Sequence, residues 1–114
     1  MSVKLSNRQV GEVTVIDAVG RITLGEGASA FRDSVRSLAA DGHKKLLVNL
    51  GEVSYIDSSG IGEMVSGFTT IANQGGQMKL LNLNKRVKDL LQVTKLYTVF
   101  EVFDDETAAV RSFS

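Results

Sequence analysis

The sequence has no cysteine and one histidine, which removes disulfides, thiol chemistry and zinc-type clusters and leaves little for a transition-metal centre. It also has no excess charge of either sign. Thirteen basic residues balance thirteen acidic ones, so no global field draws the chain to nucleic acid or an anionic membrane, and partners must be recognised locally. No apolar run approaches the roughly 20 residues of a membrane span, and Met1-Ser2-Val3-Lys4-Leu5-Ser6 lacks the apolar stretch of a secretion signal. A cytoplasmic location is the expectation. Nothing divides the 114 residues, neither an internal repeat nor a low-complexity segment nor a proline-rich linker. Residues 1–114 are therefore expected to form one domain around one core.

What is present is a regular alternation of element types. Val3 to Gln9 and Val13 to Val19 are rich in β-branched residues around Gly11 and predict an opening hairpin. Phe31, Val35, Leu38 and Ala39 make a helical stripe from Ala28 onward that should stop at Gly42. Leu46 to Leu50 is a nearly continuous apolar run, as expected of a strand covered on both faces. The spacing of Ile61, Met64, Val65, Phe68, Ile71 and Ala72 predicts a second helix ending before Gly75-Gly76. Met78 to Leu83 reads as a buried strand, Asn84 as the cap of a short helix carrying Val87, Leu90 and Leu91, and Val99 to Phe103 as a last strand. Asp104-Asp105 should cap a terminal helix through Val110 and Phe113. The fold class is thus α/β, with about four helices, right-handed crossovers and a mostly parallel β-sheet joined by an antiparallel N-terminal strand. The order of strands in the sheet is not readable from the sequence.

Asp57-Ser58-Ser59-Gly60-Ile61-Gly62 falls between a buried strand and an amphipathic helix, where unpaired N–H groups and the positive end of the helix dipole are exposed. All three polar residues are good caps, yet one suffices. Gly60, Gly62 and Gly67 fall inside the helix, where each costs about 1 kcal/mol relative to alanine. On a helical wheel Ser59, Gly62, Glu63, Ser66, Gly67 and Thr70 lie away from the apolar face, leaving a low outer surface that a partner's backbone can approach. Gly60 instead suits a close approach to the sheet.

Other motifs carry less. Gly25-Glu26-Gly27-Ala28-Ser29-Ala30 matches a dinucleotide fingerprint, but Glu26 would place negative charge beside a pyrophosphate, so a small nucleotide-binding domain ranks last among the readings. A serine hydrolase needs a base near Ser58 or Ser59, and His43 should sit about 15–20 Å away at the far end of the intervening strand. Asp104-Asp105-Glu106 suits helix capping better than a cation. Lys85, Arg86 and Lys88 oppose the dipole at the start of the third helix, which fits a contact surface and a solvated face equally well. No catalytic residue, metal or cofactor is assigned.

Val53 to Glu63, together with Leu80-Leu81-Asn82-Leu83 and Thr94 to Phe100, resembles the anti-sigma factor antagonist family, built on the STAS domain. The resemblance covers nearly the whole chain. It implies that Ser59 accepts a phosphate, with Ser58 as the fallback, and that Asp57 and Gly60 support the site. It further implies a partner-switching cycle in transcription regulation. The unphosphorylated protein binds an anti-sigma factor that is also its serine kinase, phosphorylation releases it, and a metal-dependent serine phosphatase resets it. The protein itself is then a substrate and not an enzyme. Ser58, Gly62, Glu63, Ser66, Gly67 and Thr70 are the expected partner-binding residues. A STAS scaffold module, whose serines only cap the second helix, is the runner-up.

Overall fold

A computed structural model describes residues 3–113. Strands β1 (Val3–Val10) and β2 (Val13–Ile22) form the expected hairpin, with Val10 opposite Val13 and Gly11 turning the chain at φ 62°. Only glycine takes that left-handed conformation without steric penalty. Helix α1 (Glu26–Ala40) leads to β3 (Lys45–Ile56), then helix α2 (Ser58–Asn73), β4 (Gln77–Leu81) and helix α3 (Lys85–Val93). A 3₁₀ turn at Leu96–Thr98, the short β5 (Val102–Phe103) and helix α4 (Glu106–Ser112) complete the described chain. The sheet runs β1-β2-β3-β4-β5 in space, antiparallel between the first two strands and parallel thereafter.

Period-two alternation in β2 and β3 sends side chains to two different cores. Ile16, Ala18, Leu46, Val48 and Leu50 face α1, α2 and α3, where Phe31, Val35, Met64, Ile71, Val87 and Leu91 complete the larger core. Val13, Val15 and Leu47 face the other way and pack with Leu81 against Ala109 and Phe113 of α4. Lys79 of β4 is 5% exposed on that side. Its ammonium donates to the Ser112 carbonyl and hydroxyl at 3.0 Å and lies 4.8 Å from the Phe113 ring centroid. A buried cation is tolerated there because the Glu101 carboxylate at 3.3 Å, the C-terminal carbonyls of α4 and an aromatic face receive it.

Several boundaries differ from the sequence expectation, among them β2, which runs to Ile22 and not Val19, and β4, which is Gln77–Leu81 and not Met78–Leu83. β3 does not stop at Leu50 but continues to Ile56, because Val53 and Ile56 still point into the larger core while Glu52, Ser54 and Tyr55 are exposed. Helix α1 begins at Glu26, before Ala28. The Val99–Phe103 strand reduces to Val102–Phe103, since Val99 belongs to the end of the 3₁₀ turn and its N–H donates to Leu96. The expected caps are in place: the Asn84 side chain accepts the Val87 N–H and the Asp105 carboxylate accepts that of Ala108.

Candidate functional site

The site lies where β3 hands over to α2. Asp57 is extended and caps the helix, its Oδ1 accepting the Gly60 N–H at 2.9 Å. Its other oxygen, Oδ2, accepts the Leu24 N–H at 2.9 Å, and its own N–H donates to the Ile22 carbonyl at 3.3 Å. One residue thus ties the first turn of α2 to the loop between β2 and α1. The Leu24 N–H above all, then that of Gly60, holds the Asp57 carboxyl below the usual carboxylate range, because both bonds are made to the charged form. Gly60 allows this closeness. A Cβ there would collide with the Ile22 carbonyl oxygen and stand 2.8 Å from an Ile56 methyl.

With Asp57 as the cap, the serines do not cap α2, contrary to the role that the scaffold reading gave them. Among the described residues neither the Ser58 nor the Ser59 hydroxyl has a hydrogen-bond partner. Ser58 is exposed and Ser59 half-buried. The first turn of α2 contains no acidic residue, so Asp57 alone faces the positive end of the dipole. Among the described residues no histidine stands beside these hydroxyls. His43 precedes β3, and its Nδ1 is 3.0 Å from the Thr14 hydroxyl. A twelve-residue strand separates it from the serines, far beyond hydrogen-bond reach.

The outer face read from the helical wheel is only partly outer. Gly62 and Ser66 are exposed, and a Cβ on Gly62 would meet nothing within 4 Å. Glu63 and Thr70 are half-buried, with the Glu63 carboxylate 3.7 Å from the Arg32 guanidinium of α1. Gly67 is a correction. It is buried in the seam with α1, where a Cβ would stand 3.2 Å from a Val35 methyl and 3.6 Å from the Met78 sulfur. Packing of α2 on both the sheet and α1 widens its buried arc beyond the apolar residues, and a glycine on that arc gives no hydropathy signal.

The glycines of the dinucleotide-like motif also have packing roles. Gly25 caps α1 at φ 96°, and a Cβ on Gly27 would stand 2.5 Å from the Arg21 carbonyl oxygen. Asp105 and Glu106 are engaged as well, by the α4 cap and by Arg8. Sequence reasoning missed Leu24, whose part is played by a backbone N–H and leaves no side-chain signature. It also missed Tyr55, which borders the serine turn alongside Arg86, and Arg21 next to those two.

The STAS domain family model matches residues 4–109. The anti-sigma-B factor antagonist of Bacillus subtilis is 30% identical over 102 residues, covering 90% of this chain and 92% of that protein. The crystal structure of an anti-sigma factor antagonist from Mycobacterium paratuberculosis superposes with a TM-score of 0.88 at 16% identity, over 98% of this chain and 94% of that one. The Bacillus cell fate determinant SpoIIAA in its phosphorylated form superposes with a TM-score of 0.75 at 20% identity, over 95% of this chain and 97% of that one. No helix among the described residues is long and apolar enough to cross a membrane. A sheet and helix order shared with these structures, and sequence similarity along almost the full chain, place the protein: it belongs to the STAS domain family, the family of anti-sigma factor antagonists.

Proposed function

We propose that the chain is a cytoplasmic anti-sigma factor antagonist, acting as one STAS unit over residues 1–114, whose choice of partner is set by phosphorylation of Ser59. The observation that carries this reading is the pair of unpartnered hydroxyls at the start of α2, left free because Asp57 alone caps the helix. A similar solved structure is that of a phosphorylated protein. The chain serves as a substrate. An anti-sigma factor with serine kinase activity supplies ATP and phosphorylates it, and a serine phosphatase removes the phosphate. Neither nucleic acid nor a membrane takes part.

The switch follows from charge. A phosphate at a helix N-terminus is well accommodated by the free N–H groups, so the isolated protein accepts it without refolding. It adds roughly −1.5 to −2 charges beside an Asp57 already held ionised. Where the partner covers that spot, an uncompensated buried charge costs several kcal/mol, and about 3 kcal/mol already means a hundredfold loss of affinity. The test is incubation with the anti-sigma factor kinase and ATP, followed by intact mass, peptide mapping and calorimetry. One phosphate on Ser59, released binding, and a Ser59→Ala variant that binds without release are expected. A phosphate outside Ser58 and Ser59 sinks the assignment. Amide shifts reaching the Val3–Val19 hairpin on phosphorylation would instead mean a conformational switch.

A further inference from the structure

Strands β2 and β3 fall out of step near their ends. Gly20 pairs with Val53 and Arg21 with Tyr55, so Ser54 is an extra residue that the ladder skips. Gly20 stands there at φ 116°, where other residues are strained, and its carbonyl accepts the Ser54 hydroxyl at 3.3 Å. Strict alternation after Val53 would turn Tyr55 inward and Ile56 outward. The bulge does the reverse: Ser54 and Tyr55 are both exposed and Ile56 is buried. Neither Ser54 nor Tyr55 belongs to either core, so the interrupted ladder serves to re-aim side chains on the open side of the sheet.

What the bulge builds is a hollow of about 210 Å³ bordered by Arg21, Ser54, Tyr55 and Arg86. No carboxylate lines it. Asp57 and Asp89 line an adjoining hollow with Arg86, but neither borders this one. Among the described residues neither Arg21 nor Arg86 has an ion-pair partner. Arg86 also stands in the first turn of α3, where a cation opposes the helix dipole and folding gains nothing from it. Its guanidinium carbon lies 5.7 Å from the Tyr55 ring centroid, so the ring steadies the group while its N–H fork stays available. Such a fork matches the oxygens of a phosphate or a carboxylate. The hollow is smaller than the roughly 300–1,000 Å³ of sites for drug-sized ligands, which sets an upper limit on its occupant.

We propose that the β2–β3 bulge and Arg86 together form a binding site for a small, multiply charged oxyanion, a phosphate or a short polycarboxylate, held between the guanidinium groups of Arg21 and Arg86. Neither serine borders this hollow, so the site stands apart from the phosphorylation read above and does not depend on it. The chain thus carries a second input, a free small molecule, beside the covalent one.

The test titrates inorganic phosphate and citrate, each in turn, into the unphosphorylated full chain at constant ionic strength while amide NMR shifts are followed. Saturable shifts at Gly20, Arg21, Ser54, Tyr55 and Arg86 are expected from at least one of them. Tighter binding of phosphate marks a phosphate ligand and tighter binding of citrate a polycarboxylate, and both support the site. Arg21→Gln and Arg86→Gln alter exposed side chains, and an unchanged urea midpoint establishes that each folds. Each should weaken binding at least about fivefold, and Arg86→Lys less than Arg86→Gln, since lysine keeps the charge and loses the fork. Shifts that fail to saturate by about 50 mM of either anion overturn the proposal. So does equal affinity in wild type and both glutamine variants, and so do shifts centred on Ser58–Gly60, which place the anion at the end of α2 instead. Tighter binding of ADP than of phosphate or citrate overturns the limit on size and the proposal with it.

Discussion

Gly60→Ala and Gly62→Ala make the same chemical change two residues apart in α2 and should shift stability in opposite directions. At Gly62 the new methyl meets nothing within 4 Å, so only backbone entropy and helix propensity change, and alanine should stabilise by about 0.5–1 kcal/mol. At Gly60 the methyl collides with the Ile22 carbonyl oxygen, and the Ile56 methyl at 2.8 Å would have to recede to the 3.4 Å of ordinary contact. That carbonyl is backbone and accepts the Asp57 N–H, so relief requires moving the first turn of α2 off β2 and loosening a hydrogen bond. Overpacking of this kind costs about 1–3 kcal/mol and the hydrogen bond about 1 more, against a propensity gain of about 1. The net expectation is a loss of about 1–3 kcal/mol, which near this size lowers Tm by roughly 4–12 °C. Urea unfolding followed by circular dichroism measures both variants against wild type. Because the shift passes through Asp57, Gly60→Ala should also slow phosphorylation of the serine turn. Equal urea midpoints for the two variants would refute the reasoning.

Gly67→Arg should destabilise by at least about 2 kcal/mol in urea unfolding through its clash with Val35. The exposed Ser66→Arg should stay within about 0.5 kcal/mol of wild type and test the partner face cleanly in calorimetry. Asn84→Ala removes both a cap of α3 and a 2.7 Å hydrogen bond to the Val53 carbonyl, and should lower the unfolding free energy by about 1–2 kcal/mol. Arg8 bridges Asp17 and Glu106 through side chains 41%, 27% and 37% exposed, and its hydrogen bonds lower both carboxyl pKa values on folding. That contribution, about 1 kcal/mol after solvent screening, is present above the ordinary carboxylate range near pH 4 and fades as pH falls through the lowered folded values. Wild type should therefore lose more stability than Arg8→Ala between about pH 7 and about pH 3 when urea midpoints are compared.

Wherever burial is one-sided or complete, the sequence declared its structure. Phe31, Val35 and Leu38 announced α1 through their spacing, the β-branched segments around Gly11 announced the hairpin, and Asn84 and Asp105 announced their helices as caps. β3 was half legible, because beyond Leu50 it carries Gly51, Glu52, Ser54 and Tyr55 on its open side. Sheet order is a tertiary property with no local signature. Asp57, Ser58, Ser59 and Gly60 were readable as one turn, but which of the three polar residues caps depends on the Leu24 N–H, 33 positions away in the chain. Gly67 misled for a related reason: the helix that covers it is α1, and a wheel drawn for α2 alone has only a sheet to face.

The spatial order of the strands repeats their order in the chain, and this bears on how the protein is made. Each strand finds its neighbour in the one synthesised just before it, so the sheet can grow in one direction as the chain emerges. Helix α4 is the exception. Arg8 of β1 is joined to Glu106 across 98 positions, so the second core closes only when the last element arrives and latches onto the first.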